Sequence, residues 1–182
     1  MASAFSHAVA ALALNEGLPR EEKSRVAVIL GIFCAVVPDL DVIGFKLGVP
    51  YDSVWGHRGF SHSIVFAGLL AAALSFACFK KGRARLFIYF FVCGISHGLL
   101  DAMTTGGRGV AFFAPFSDVR CFFPFRPILV SPIGVARFFS ARGMRIIANE
   151  AAWIWLPSLF FGALLRAGRT YQQVPEHVDT AR

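Results

Sequence analysis

Five apolar runs, separated by shorter polar stretches, dominate the pattern of the chain. They cover residues 2–14, 26–37, 63–79, 86–100 and 151–165. Several are shorter than the about 20 residues of a simple membrane span, so we expect polar residues that face the protein interior to extend them. In lipid the backbone has to satisfy its own hydrogen bonds, which favours helices. The pattern therefore predicts an all-α, polytopic membrane bundle of four to five transmembrane helices.

The composition agrees with a lipid environment. Of the 182 residues, 56% are hydrophobic, 20 are Phe and only 16% are charged, whereas soluble domains average about 25% charged residues. A water-soluble domain of this size does not have enough interior to bury so much apolar surface. We predict one membrane-embedded domain over residues 1–169 and a polar, disordered tail over residues 170–182.

The net charge of +7 would suggest nucleic acid in a soluble protein. Here, however, the basic residues lie just outside apolar runs: in residues 15–25, in residues 80–85 and at Arg166 and Arg169. That distribution predicts the lipid bilayer as the partner, no nucleic acid, and a cytoplasmic position for these three ends. It leaves the oligomeric state open.

Ionisable residues in or beside the apolar runs form the candidate chemistry. Such residues are expensive in a membrane and are functional-site hypotheses by default. Under alternating spans, all of them arrive at the same membrane face. We therefore predict a cluster near that face, made of His7, Asp39, Asp41, His57, His62, His97 and Asp101.

The spacing within this set suits metal binding. His97 and Asp101 are four residues apart, so on a helix they share one face. Asp39 and Asp41 follow the helix-breaking Pro38, and they would share a face if the segment were extended. Each piece alone is common by chance, and it is their combination that favours a metal site.

The donor types narrow the choice of ion. His57 and His62 add imidazoles on a loop that enters the third apolar run, and no cysteines form a C-x-x-C pair. Nitrogen and carboxylate oxygen without thiolate suit Zn²⁺ first, with Mn²⁺ or Fe²⁺ as alternatives. The position of His7 fits two interpretations equally well, a metal ligand and a residue that packs between helices. Arg58 is a candidate for binding an anion bidentately, and the alternative is an interfacial anchor.

Four short motifs carry a family resemblance. They are SH at residues 6–7, VPDLD at 37–41, GHRGFSHS at 56–63 and SHGLLD at 96–101, followed by Thr104. In this order they resemble the YdjM-like inner-membrane proteins, a family described as membrane-bound metal-dependent hydrolases. The resemblance implies a multi-pass protein of the bacterial inner membrane and a hydrolase, but it does not name a substrate.

A more distant similarity, to zinc-dependent phospholipase C and the S1/P1 nucleases, implies a ligand set. One zinc would be held by His97, Asp101, one of Asp39 and Asp41, and one of His57 and His62. Asp101 would also bridge to a second zinc held by His7. The chain departs from that pattern because no second H-x-x-x-[DE] follows Asp101 and because Met1 stands where those proteins have Trp. We therefore expect a mononuclear or dinuclear site.

The leading hypothesis is metal-assisted hydrolysis of a phosphoester or other ester bond in a lipid. Asp39 or Asp41, whichever is not held as a metal ligand, would act as general base, and Arg58 would neutralise charge on the phosphoryl oxygens. The alternative is a non-enzymatic protein that uses the cluster for metal-ion transport or sensing, and a third interpretation is a purely structural hydrogen-bonded knot. Polar residues gathered at one end favour an enzyme or a sensor over a transporter.

Overall fold

The computed structural model describes residues 1–131 and 140–172, and within them the protein is all-α. The helices are α1 (Ala4–Asn15), α2 (Arg25–Val36), α3 (Ile43–Lys46), α4 (Ile64–Cys78), α5 (Arg83–Ala102), α6 (Ala141–Glu150) and α7 (Leu156–Gln172). Turns of 3-10 helix cover Val37–Val42 and Phe60–His62, and a π-helical turn, Ala151–Trp155, joins α6 to α7. The described residues contain two isolated β-bridges and no β-strand.

Three continuous helical stretches are long and apolar enough to cross a membrane: Arg25–Lys46, Arg83–Ala102 and Ala141–Tyr171. Two shorter apolar helices, Ala4–Asn15 and Ile64–Cys78, accompany them. The outer surface keeps many large apolar side chains exposed, as lipid contact requires, among them Ile29, Leu69, Phe76, Ile88 and Leu159. The prediction of a polytopic helical membrane bundle is confirmed.

Serine residues begin four of these helices. Ser3, Ser24, Ser63 and Ser140 lie at N-caps, where each side-chain oxygen accepts a hydrogen bond from a backbone N–H in the first turn. Such caps satisfy donors that the helix itself leaves unpaired. The starts of α1, α2 and α4 therefore lie within a few residues of the starts of the first three apolar runs.

Small residues allow the helices to pack closely. A Cβ atom added at Gly31 of α2 would lie 2.1 Å from the Tyr89 hydroxyl oxygen of α5, and one added at Gly94 would lie 3.0 Å from the Ala67 Cβ of α4. The Tyr89 hydroxyl donates a hydrogen bond to the Ala11 carbonyl oxygen of α1 at 3.2 Å. Small interfacial residues are the usual means of helix association in lipid, where burial from water gives little driving force.

The connectivity brings polar segments together at one end of the bundle. α1 and α4 start there, and α2 and α5 finish there. Residues 103–131 contain no helix and close over this end: Ala111 N–H donates to the Arg58 carbonyl oxygen, and Phe123 N–H donates to the Ala102 carbonyl oxygen. The opposite end carries the basic loops. Of the predicted tail, residues 170–172 continue helix α7, and residues 173–182 lie outside the described part of the chain.

Candidate metal centre

Four buried side chains from three segments converge at the polar end. His97 and Asp101 lie one turn apart on α5, Asp39 lies on the 3-10 turn after α2, and His62 lies just before α4. Each offers one ligand atom, and these atoms all lie within 4.8 Å of one another. Exposure is 7% for Asp39, 4% for His62 and 0% for the other two, and both Asp39 carboxylate oxygens are buried, so the centre is enclosed by protein.

The separations fit a single ion. His62 Nε2 lies 3.0 Å from His97 Nε2, and Asp39 Oδ1 lies 3.4 Å from His97 Nε2 and 3.7 Å from His62 Nε2. Asp101 Oδ2 lies 3.7 Å from His62 Nε2. Tetrahedral zinc with ligands at 2.0–2.2 Å requires ligand–ligand separations of about 3.3 Å. Small movements would bring these four atoms to that geometry.

Both imidazoles are oriented by their second nitrogen. His97 Nδ1 lies 2.7 Å from the Ala35 carbonyl oxygen, which can only accept, so Nδ1 carries the proton and Nε2 keeps its lone pair. His62 Nδ1 lies 3.2 Å from Asp41 Oδ2 and 3.0 Å from Ser61 Oγ. Metal-binding histidines are typically held in this way. In both rings Nε2 faces the centre.

Asp41 holds the surrounding loop rather than joining the four. Its Oδ1 lies 2.5 Å from His57 Nδ1, and its Oδ2 accepts hydrogen bonds from Ser61 Oγ at 2.7 Å and from the Arg58 backbone N–H at 3.0 Å. Asp41, His57 and His62 also form a second group whose ligand atoms lie close together. Because Asp41 already faces several donors, its arrangement fits an orienting role beside the four-residue centre.

The charge of the centre favours a cation. Three carboxylates, Asp39, Asp41 and Asp101, lie in or beside the centre, and Arg58 supplies one guanidinium, whose Nε lies 2.9 Å from Asp101 Oδ2. Neither Asp39 oxygen has a hydrogen-bond partner. Burial lowers the pKa of the His62 imidazole, but the neighbouring carboxylates of Asp101, Asp39 and Asp41 outweigh that effect and hold the pKa well above its usual value. A buried site this rich in negative charge and unpaired oxygen fits a divalent ion.

His7 lies beside the centre. Its ring stacks on His97 with the centroids 3.9 Å apart, and its Nε2 lies 3.7 Å from Asp101 Oδ1. The side chain is fully buried, and neither ring nitrogen has a hydrogen-bond partner. Asp101 Oδ1 also accepts the Ala2 N–H at 2.8 Å. The structure thus places His7 next to Asp101 but outside the four converging ligands.

Arg58 is fully buried and has a positive φ of 63°. Besides the contact with Asp101, its Nη1 donates to the Gly106 carbonyl oxygen at 2.9 Å and its Nη2 to Thr104 Oγ1 at 3.1 Å. All three nitrogens therefore face protein acceptors. The binding of phosphoryl oxygens by Arg58 stays a prediction, and the contacts fit a residue that holds Asp101 in place.

Glu150 is a buried carboxylate that the sequence analysis missed. At the end of α6, it accepts hydrogen bonds from the Ser3 N–H at 2.7 Å, from Ser3 Oγ at 2.5 Å and from Ser6 Oγ at 2.7 Å. Trp155 Nε1 also donates to Ser6 Oγ. The available signal was an acidic residue immediately before the fifth apolar run. Glu150 anchors the start of α1, the helix that carries His7.

Comparison with known proteins gives two matches that cover nearly the whole chain. The family described as YdjM inner membrane protein matches residues 1–174. The chain is 38% identical over 168 residues to the inner membrane protein YbcI of Escherichia coli (strain K12), across 91% of this chain and 97% of that protein. No solved structure matches the chain.

Proposed function

This chain belongs to the YdjM inner membrane protein family, and on that premise we propose that it is a membrane-bound metal-dependent hydrolase that cleaves a phosphoester or other ester bond in a lipid. One observation carries the proposal: two imidazole Nε2 atoms and two carboxylates converge in a buried centre, with both Nδ1 atoms already held by other groups. A structural hydrogen-bonded knot would instead pair its carboxylate oxygens in hydrogen bonds, whereas neither Asp39 oxygen has a hydrogen-bond partner.

The residues present fit Zn²⁺, with Mn²⁺ or Fe²⁺ as alternatives, held by Asp39, His62, His97 and Asp101. When bound, such an ion supplies Lewis acidity, which polarises an ester oxygen and makes water a better nucleophile. The protein contributes the placement of these four groups at the carboxyl end of α5. A second ion between His7 and Asp101 is the dinuclear form of the same proposal.

Asp39 is our candidate general base. Both of its carboxylate oxygens are buried and without a hydrogen-bond partner, so while Oδ1 would face the ion, Oδ2 is left to accept a proton from a water that enters the centre. Asp41, the other candidate, already faces donors from His57, Ser61 and Arg58. Arg58 would act through Asp101 in this scheme, by offsetting negative charge beside it.

The surroundings of the centre support a lipid substrate. On the Asp39 side, large apolar side chains are exposed at Leu40 (56%), Ile43 (53%), Leu47 (76%) and Trp55 (68%). An apolar rim of this kind suits the membrane interface, where Trp and aliphatic side chains meet headgroups and acyl chains. A lipid could present its headgroup ester to the centre while its tails stay in the bilayer.

The first test measures metal content. We expect detergent-purified protein to contain nearly stoichiometric Zn²⁺, Mn²⁺ or Fe²⁺ by elemental mass spectrometry, and we expect His97→Ala and Asp101→Ala to lose it. Asp118→Ala, which removes an exposed carboxylate from the loop over the centre, is the matched control and should keep the metal. Retained metal in both centre variants would exclude the assignment.

The second test measures hydrolysis of phospholipids. Metal-stripped and metal-restored protein would be incubated with phosphatidic acid or phosphatidylglycerol in mixed micelles, and the water-soluble products quantified. We expect cleavage only after metal is restored. Equal rates without metal would contradict the mechanism. His97→Gln serves as a second variant: full tolerance of it, with no metal in the wild type, would support the structural knot.

Metal-ion transport is the rival function. A transporter should carry polar groups through its whole thickness, but the core cluster beyond the centre is apolar and includes Ala27, Cys34 and Ala71, packed with Phe90 and Cys93 of α5. Uptake of Zn²⁺ into vesicles that contain the protein would favour transport over hydrolysis.

A further inference from the structure

Two adjoining cavities lie at the end of the bundle that carries the basic loops. One, of about 250 Å³, is largely apolar and is lined in part by Leu14, Leu18, Ile88, Tyr89 and Val92. The other, of about 260 Å³, is polar and is lined by Glu16, Leu18, Arg20, Lys23, Arg166, Arg169 and Thr170. Leu18 and Arg169 line both cavities, so the two lie side by side, and we call them together the amphipathic recess.

This recess is separate from the metal centre. It lies where α1 and α7 finish and where α5 begins, whereas the centre lies at the start of α1 and the finish of α5. Arg85, at the mouth of the apolar cavity, is twelve residues before His97 on the same helix. Twelve residues of α-helix span about 18 Å. A molecule in the recess therefore does not contact the four metal-binding groups.

The polar cavity holds positive charge that the protein does not neutralise. Lys23 pairs with Glu16 at 2.6 Å, and Arg85 pairs with Glu22 at 3.0 Å. Within residues 1–131 and 140–172, Arg20, Arg166 and Arg169 form no ion pair. The one carboxylate that lines this cavity, Glu16, pairs with Lys23, so three guanidinium groups around it are left to bind an anion, and arginine favours phosphate in particular.

The adjoining apolar cavity indicates that the bound anion also carries an apolar group. Ile88 is 59% exposed and Val92 is 37% exposed, one turn apart on the outer face of α5. The buried ring of Tyr89 forms the wall between them and α1, where its hydroxyl donates to the Ala11 carbonyl oxygen. A free phosphate ion would leave this crevice empty, whereas an acyl chain would fill it from the bilayer.

We propose that the recess binds an anionic phospholipid, with its headgroup phosphate among Arg20, Arg166 and Arg169 and an acyl chain along Leu14, Ile88 and Val92. Basic cavities between transmembrane helices at a membrane surface are suited to acidic lipid headgroups. The site is independent of the proposed hydrolysis, because it lies at the other end of the bundle.

The experiment is native mass spectrometry of the full detergent-purified chain with phosphatidylglycerol. We expect one tightly held lipid per chain and much weaker binding of zwitterionic phosphatidylcholine. Arg166→Ala combined with Arg169→Ala should weaken phosphatidylglycerol binding by about 25-fold, at about fivefold for each cation near the membrane surface. Lys80→Ala with Lys81→Ala removes the same charge from the same end but outside the recess, and should change binding less than about twofold.

Further variants distinguish binding of the whole lipid from binding of phosphate alone. Val92→Trp should fill the apolar crevice and weaken lipid binding while leaving the binding of inorganic phosphate unchanged. His97→Ala should bind the lipid normally, since the metal centre is elsewhere. Equal affinity for phosphatidylcholine, equal loss in the two double variants, or displacement of the lipid by inorganic phosphate at similar concentration would each overturn the proposal.

Discussion

At the scale of single residues, the centre depends on which nitrogen of each imidazole carries the proton. The Ala35 carbonyl oxygen fixes this for His97, and Asp41 with Ser61 fixes it for His62. Ser61 Oγ donates to Asp41 Oδ2, so its own oxygen is left to accept from His62 Nδ1. The nitrogen atoms that face the centre are thus set by groups outside it, as is usual around metal-binding histidines.

Asp41→Asn tests this arrangement. The amide keeps the size of the side chain but removes its charge and one acceptor, so His62 and His57 lose their orienting carboxylate. Substitution of such outer groups typically lowers metal affinity by about 10- to 100-fold. We expect this loss for Zn²⁺ in competition with a zinc-binding dye, and no change for Asp52→Asn, an exposed carboxylate paired with Arg108.

Unchanged zinc affinity in Asp41→Asn would show that Asp41 does not orient the imidazoles. Complete loss of metal from a stably folded variant would show instead that Asp41 is itself a ligand, as the second cluster of Asp41, His57 and His62 allows.

At the scale of elements, Glu150 ties the last helical stretch to the first. It terminates α6 and faces the start of α1, where Ser3 and Ser6 donate to it. A carboxylate near the positive end of a helix dipole is favourably placed. Because α1 carries His7 and directly follows the segment whose Ala2 N–H donates to Asp101, this contact connects α6 to the candidate metal centre.

Glu150→Gln should weaken this connection. One acceptor oxygen becomes an N–H donor that faces hydroxyl and backbone donors, and an unsatisfied buried polar group costs about 1–3 kcal/mol. We expect a lower thermal unfolding temperature in detergent than for wild type. Glu21→Gln, an exposed acid at the opposite end, should unfold within about 0.5 kcal/mol of wild type. Equal unfolding temperatures for wild type and Glu150→Gln would contradict the anchoring role.

At the scale of the whole molecule, the centre joins three parts of the bundle that are far apart in sequence. Asp39 extends from α2, His62 precedes α4, and His97 and Asp101 belong to α5. The carboxylates of this centre repel one another when no cation is present. A bound ion would therefore connect the helices at one end and stabilise the folded state by mass action.

Chelation should destabilise the metal-loaded protein. An ion at 100 times its dissociation constant contributes about 2.7 kcal/mol, and for a chain of this length each kcal/mol corresponds to about 2–4 °C. We expect the unfolding temperature to fall by about 5–10 °C on removal of the ion, and to recover on its return. In the His97→Ala, Asp101→Ala double variant, the chelator should leave the unfolding temperature unchanged. A wild-type protein that loses its metal without a shift would contradict a stabilising centre.

The sequence alone determined the class of the fold and much of the centre. Apolar runs separated by basic loops predicted the helical bundle, because lipid leaves few other backbone solutions. The four-residue spacing placed His97 and Asp101 on one face of α5, since that relation is local and follows from helical geometry. Alternation of the spans predicted that the His and Asp residues meet at one end, and the structure brings them together there.

Only the tertiary structure decided which of Asp39 and Asp41 faces the centre, and which of His57 and His62 does so. Residues 37–42 form a 3-10 helix rather than an extended segment, and at three residues per turn Asp39 and Asp41 point in different directions. Likewise His62, not His57, reaches His97, because the turn at Phe60–His62 directs it inward. The partners of Glu150 lie more than 140 residues away. Such choices depend on packing between distant segments, and no local periodicity encodes them.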